Sequence, residues 1–165
     1  MRLEVVGDIE DFAVCFRDHR VDPTMSDKFC GAAFCVQRVW IGDPTLDSVR
    51  GTLISGLDDL IKKENLLSDP ILFDLPLDEA QTTFLSQETI GSQTYRFITD
   101  IGDKHSLTAS CECFDGFYLF AVAYEERVRL FHIDYANPLL SFIYETSEKQ
   151  IFDALLHASN FLSSA

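Results

Sequence analysis

Five cysteines, four histidines and a surplus of carboxylates are the residues of this chain that chemistry could use. Nucleophilic catalysis needs a nucleophile, a base and an orienting group brought together. Cys15, Cys30, Cys35, Cys111 and Cys113 could supply the first, and His19, His105, His132 and His157 the second. No Gly-x-Ser-x-Gly elbow is present, and no two histidines stand at a His-x-x-x-His spacing. A cysteine brought beside a histidine by the fold remains an open alternative. Cys111 and Cys113 form a Cys-x-Cys, which differs from the two-residue-gap pair of most zinc sites. On a strand both would face the same side, where they read as buried small hydrophobes. The odd cysteine count argues against a disulfide framework.

The carboxylates offer general acid/base chemistry only where burial in a cleft shifts one of them. Asp8, Glu10 and Asp11 form one cluster and Asp58-Asp59 another, and both read as solvated surface charge. The stretch "VWIGDPTLDSVRG" has one glycine before a helical pattern, too few for a phosphate loop, and its aspartate repels phosphate. Asp43 reads instead as a cap, with Pro44 suited to a first helical turn. No catalytic residue, metal or cofactor is expected.

The elements that must position these residues follow from periodicity. "RLEVVGD" is a short strand, and "DFAVCFRD" alternates Phe12, Val14 and Phe16 against Ala13, Cys15 and Arg17 as a half-buried strand. "HRVDPTMSD" is a loop, and "KFCGAAFCVQ" and "RVWIGD" are two strands or one bent one. Leu46, Val49, Leu53, Leu57, Leu60 and Ile61 predict a helix over 45–65, in which Gly51 and Gly56 allow close approach to a sheet. "LLSDPILFDLPLD" is a connection. "LDEAQTTFLSQE" is a shorter helix with Leu77, Ala80, Phe84 and Leu85 inward.

"QTYRFITDIGD" then alternates as a strand. "SLTASCECF", "FYLFAVAYE" and "RVRLFHIDY" follow as an antiparallel meander turned at Asp115-Gly116 and Glu125-Glu126, and "LLSFIYE" adds a further strand. Ser147 three residues before Gln150 is a capping-box start for the last helix, carried by Ile151, Leu155, Ala158 and Leu162. There is no repeat and no linker. The order predicts a single α+β domain over 1–165, an antiparallel sheet with helices packed on one face. Fourteen phenylalanines in 165 residues supply much of its core.

With 27 acidic against 13 basic residues the formal charge is −14 and the pI about 4.4. Such a surface repels nucleic acid and anionic membranes, and attracts and steers a basic protein. The aromatics of "FDGFYLFAVAY" could form a base-stacking platform, but the neighbouring charges are Asp115, Glu125 and Glu126, so core packing accounts for them better. Trp40 reads as a core or hinge residue. No apolar run approaches a membrane span and the N-terminus lacks a signal-peptide core, so the chain is expected in the cytoplasm.

"VVGDIEDFAVCF", followed by "FCGAAFCVQRVWIGDPTLDSVRGTLISGLDDLI", resembles the Immunity protein 42 family of bacterial polymorphic toxin systems. The shared features are an early Gly-Asp, a Phe-Ala aromatic strand, a second Gly-Asp and a leucine-rich helix. "FDGFYLFAVAYEERVRLFHID" resembles the late hairpin of that family, so the likeness spans most of the chain. It implies a non-enzymatic protein that binds and neutralises a cognate toxin in the cytoplasm. The acidic surface then implies a toxin with a basic binding face. Asp115, Glu125, Glu126 and Asp134, with Asp58 and Asp59 behind them, are the candidate contacts. The rival readings are a small cytosolic hydrolase with a Cys/His or Asp cleft, and an adaptor or chaperone for a basic effector protein.

Overall fold

The computed structural model describes residues 1–164. Its first half is a five-stranded antiparallel sheet of β1 (Glu4–Gly7), β2 (Phe12–Arg17), β3 (Phe29–Val36) and β4 (Val39–Ile41), with β5 (Ser48–Val49) paired to the start of β3. The β2–β3 register sets Phe12 opposite Val36, Val14 opposite Phe34 and Phe16 opposite Ala32. These share one face, and they enter the main core with Leu53, Leu57 and Leu60 of α1 (Arg50–Ile61). The expected alternation along β2 holds, yet Ala13 and Cys15 on the reverse face are also buried, so β2 is an interior strand. Gln37 and Arg38 turn β3 into β4 with φ of 48° and 65°, the left-handed pair a tight hairpin needs.

The second half carries a three-stranded sheet, β10–β9–β8, from β8 (Tyr118–Tyr124), β9 (Arg127–Ile133) and β10 (Phe142–Ser147). Its strands β8 and β9 are buried on both faces. Leu119, Ala121, Ala123, Val128 and Leu130 face the main core, which also takes Ile151, Leu155, Ala158 and Leu162 from α5 (Glu148–Ser163). Phe120, Val122, Phe131 and Ile133 face a second, smaller core with Phe73, Ala80 and Phe84. Those come from α2 (Pro70–Phe73) and α3 (Leu77–Phe84). Phe84 stacks on Phe120 at 4.8 Å between centroids and meets Phe131 edge-on at 5.6 Å. Each fully buried phenylalanine of this kind contributes roughly 1.5–3 kcal/mol.

The remaining elements are a two-stranded ribbon, β6 (Leu85–Ile90) and β7 (Gln93–Ile98), and the short helix α4 (Asp100–His105). Gly91 turns the ribbon with φ of 65°. Leu85 at its base is buried, and every residue from 86 to 98 is exposed.

The antiparallel α+β reading holds, with the strands divided among three sheets. The N-cap half of the expected capping box is present: the Ser147 hydroxyl accepts the Gln150 amide at 3.2 Å. The first helix differs. It starts at Arg50, because Ser48 and Val49 pair with Cys30 and Phe29 and their backbone belongs to the sheet. Leu46 and Val49, expected inward, are exposed. Asp43 caps a local turn and no helix: its carboxylate accepts the Thr45 amide at 2.8 Å and the Thr45 hydroxyl at 2.6 Å.

Three further expectations are corrected. The "LLSDPILFDLPLD" connection contains α2, capped by Asp69. The second helix ends at Phe84, where the chain enters β6. "SLTASCECF" is not a strand of the meander. It makes one bridge, Ser106 to Phe120, then runs unladdered into a short 3-10 turn at Glu112–Phe114. Asp115-Gly116 therefore follows that turn and closes no hairpin, and "LLSFIYE" is the third strand of the meander.

Candidate functional site

Two of the histidines, His105 and His132, serve structure. His105 Nδ1 lies 2.9 Å from the Ala121 carbonyl and His132 Nδ1 3.1 Å from that of Tyr118, so in each ring Nδ1–H donates. Both are buried, and burial pushes their pKa values down despite those bonds. His19 sits against the Arg50 guanidinium. Among the described residues no histidine hydrogen-bonds a cysteine. Burial drives the Cys15 and Cys30 thiols up to about 12. Cys111 and Cys113 lie off any strand with their sulfurs 3.2 Å apart. A Cys111 thiol donating across that gap lowers the pKa of Cys113 and raises its own.

One buried ion cluster pins the loop after β2 to α1. Asp18, fully buried, accepts Nε–H and Nη2–H of Arg20 on one carboxylate oxygen at 3.0 and 2.7 Å and lies 3.6 Å from Arg50. Burial pushes its carboxyl up. The Arg20 hydrogen bonds and the charges of Arg20 and Arg50 outweigh that and hold it below the usual carboxylate range.

Two adjoining cavities of about 540 and 630 Å³ form one groove. They share Ile98, Thr108, Ala109 and Ser110. One wall is the small-residue side of α1, Gly51, Ser55 and Gly56. The other is β7, through Arg96 and Ile98. The floor lies close under α1 because Gly56 has no side chain: a Cβ there would stand 2.9 Å from that of Ala109. The close approach expected of Gly56 is thus made to an extended segment and not to a sheet strand.

The groove is acidic. Asp59 and Asp103 stand at one end, Glu112 and Asp115 at the other. Asp59 pairs with Lys62 at 2.7 Å. The carboxylates of Asp103, Glu112 and Asp115 meet no cation within 4.0 Å among the described residues. The lysine inside, Lys63, spends its ammonium on the carbonyls of Asp103 at 2.6 Å and Ser106 at 2.9 Å. Arg96 lies over the Tyr135 ring at 4.1 Å.

The six candidate contacts read from the sequence are spread over the surface. Asp59 and Asp115 fall at opposite ends of the groove. Glu125 and Glu126 turn β8 into β9, Glu125 with φ of 57°. Glu126 joins Glu64, Glu148 and Asp153 around a separate cavity of about 490 Å³. Asp134 accepts the Asn137 amide at 2.9 Å and shapes the turn after β9. Asp58 accepts the Ser159 hydroxyl of α5 at 2.6 Å. Asp103 and Glu112 were missed, because only the fold brings them beside Asp59 and Asp115.

No curated protein matches this chain. Among solved structures, the crystal structure of CdiI from Burkholderia dolosa AUO158 superposes with a TM-score of 0.66 at 19% identity, covering 98% of this chain and 100% of that one. At that identity the likeness is one of fold. The family model for Immunity protein 42 matches residues 1–164. The early Gly-Asp, the aromatic strand and the leucine-rich helix that suggested this likeness are β1–β2 and α1, and the chain belongs to the Immunity protein 42 family.

Proposed function

We propose that this protein neutralises a cognate toxin in the cytoplasm by covering a basic face of that toxin with its own acidic surface. The observation that carries the acidic part is the gathering of carboxylates without cation partners around the groove, on a chain of formal charge −14. Asp103, Glu112 and Asp115 are exposed as well as unpaired, so they are open to a cation brought by a partner. A long-range negative field also speeds encounter with a basic partner. Asp59 and Asp115 then act as contacts, and Glu125 and Glu126 contribute to the field.

The test is co-expression with the toxin encoded by the neighbouring gene. Cells making both proteins survive, and the two co-purify. An adaptor would form the complex and leave the toxin active. Absence of both complex and protection sinks the reading.

A further inference from the structure

The Cys111 and Cys113 sulfurs touch because the chain turns between them. On a strand, residues two apart stand roughly 6.5 Å from each other along the axis. Here Cys111 is extended and Glu112 opens the 3-10 turn, which the Phe114 amide closes on the Cys111 carbonyl at 3.0 Å. The two thiols come to 3.2 Å, and a bond between them needs a further approach of roughly 1 Å.

The two sulfurs differ in access and in anchoring. Cys113 is fully buried in the main core, whereas Cys111 is half-buried and lines the groove. The sheet holds Cys113 in place. Its carbonyl accepts the Asp43 amide at 2.7 Å, and its amide donates to the Ser48 hydroxyl at 3.1 Å. Phe114 beside it stacks on Phe34 at 4.6 Å. A sulfur open to small molecules thus rests on a second, fixed sulfur that is closed to them. The other cysteines lack this arrangement. Cys30 is buried in the main core, and Cys15 and Cys35 stand diagonally across the β2–β3 ladder, both buried on its reverse face. Diagonal neighbours of that kind are roughly 7–8 Å apart.

We propose that Cys111 and Cys113 form a reversible thiol–disulfide site whose oxidant is a hydroperoxide and whose reductant is a small thiol. The Cys111 sulfur attacks a peroxide oxygen and the O–O bond breaks. With hydrogen peroxide, hydroxide leaves and takes the Cys111 proton as water, and Cys111 becomes a sulfenic acid. The Cys113 sulfur then attacks the Cys111 sulfur. The S–O bond breaks, and hydroxide leaves with the Cys113 proton as a second water. The two sulfurs together give two electrons to the peroxide. Two equivalents of a small thiol reverse the change by thiol–disulfide exchange. The bridge closes a small ring through the Glu112 backbone and ties the groove side of the turn to the sheet that holds Cys113. The site is a property of this chain alone and does not depend on the toxin-neutralising reading.

Hydrogen peroxide applied to the reduced full chain, followed by digestion without reductant and peptide mass spectrometry, tests it. The peptide carrying both residues loses the mass of two hydrogens, at least about tenfold faster than Cys15, Cys30 or Cys35 is oxidised, and dithiothreitol restores it. In Cys113→Ala, confirmed folded by its melting curve, no bridge forms and dimedone traps a sulfenic acid at Cys111. In Cys111→Ala, Cys113 stays reduced over the same interval. The parent measurement stands without either variant. Accumulation of sulfenic or sulfinic acid at Cys111 in the parent while Cys113 stays reduced overturns the proposal. So does a bridge that joins two chains, or a pair oxidised no faster than the buried cysteines.

Discussion

The Ser159 hydroxyl of α5 donates to Asp58 of α1 at 2.6 Å, tying together the two helices of the main core. The two partners stand in different surroundings, since Ser159 is buried and Asp58 exposed. Removing Asp58 strands a buried hydroxyl, whereas removing Ser159 leaves a carboxylate that water can serve. Asp58→Ala therefore costs on the order of 1–2 kcal/mol and Ser159→Ala less, read as shifts in the urea midpoint. Toxin affinity is unchanged in both. A large loss of affinity with stability intact would return Asp58 to the binding surface.

Glu125 and Glu126 lie outside the groove, at the tip of the β8–β9 turn. Their reversal to lysine slows toxin association several-fold at low ionic strength. The difference shrinks toward nothing near 0.5 M salt, where the screening length is only a few ångströms (~3–5 Å). Stopped-flow measurements across a salt series read this directly. An association rate equal to the parent's at low salt removes the pair from the field.

His105 and His132 are kept neutral by burial, with pKa values lowered from 6.5. Below that value the unfolded chain takes up protons that the folded chain refuses. Their contribution to stability is complete above pH 6.5 and is lost as the pH falls through the lowered folded values. The urea midpoint accordingly drops between neutral pH and about pH 5. His105→Gln/His132→Gln starts lower and follows a flatter curve. A midpoint that rises on acidification over that interval contradicts the assignment.

The thiols differ in access. Alkylation by iodoacetamide at pH 8 reaches Cys111 first, because it is half-buried, while Cys15, Cys30, Cys35 and Cys113 are buried and burial holds Cys15 and Cys30 at about 12. Peptide mass spectrometry gives the order. Cys111 borders the groove, so a preformed toxin complex delays its labelling. Equal labelling of Cys15 and Cys111 counts against the geometry.

How much of this was legible in the sequence depended on whether a signal was local. The Phe12–Val14–Phe16 alternation, the Ser147 cap and the β8–β9 pair are written in neighbouring residues and could be read there. The start of α1 could not, because Ser48 and Val49 continue a helical spacing and are claimed by Cys30 and Phe29 from far back in the chain. β7 was read as a strand from "QTYRFITDIGD", but its partner β6 was missed because Ser86, Gln87, Glu88 and Thr89 give no apolar alternation, although Gly91-Ser92 is a good two-residue turn. "SLTASCECF" was misread for the opposite reason: alternation marks a segment able to pair, and pairing needs a partner strand that the fold does not supply. Asp59 and Asp115 could be picked as acidic residues on helix and turn. Their common groove with Asp103 and Glu112 could not, since four separate segments build it.

The two sides of the groove are held to the molecule very differently. The α1 wall and the 108–110 floor are set by the main core, whereas the ribbon is rooted through Leu85 and the Thr99 hydroxyl, which bonds the Thr83 carbonyl at 2.7 Å. Replacing an exposed ribbon side chain opens no cavity beneath it and costs little stability. One wall can thus drift by mutation while the floor and the opposite wall stay fixed. Descendants of one ancestral chain can in this way come to recognise divergent rivals with a framework that never has to be rebuilt.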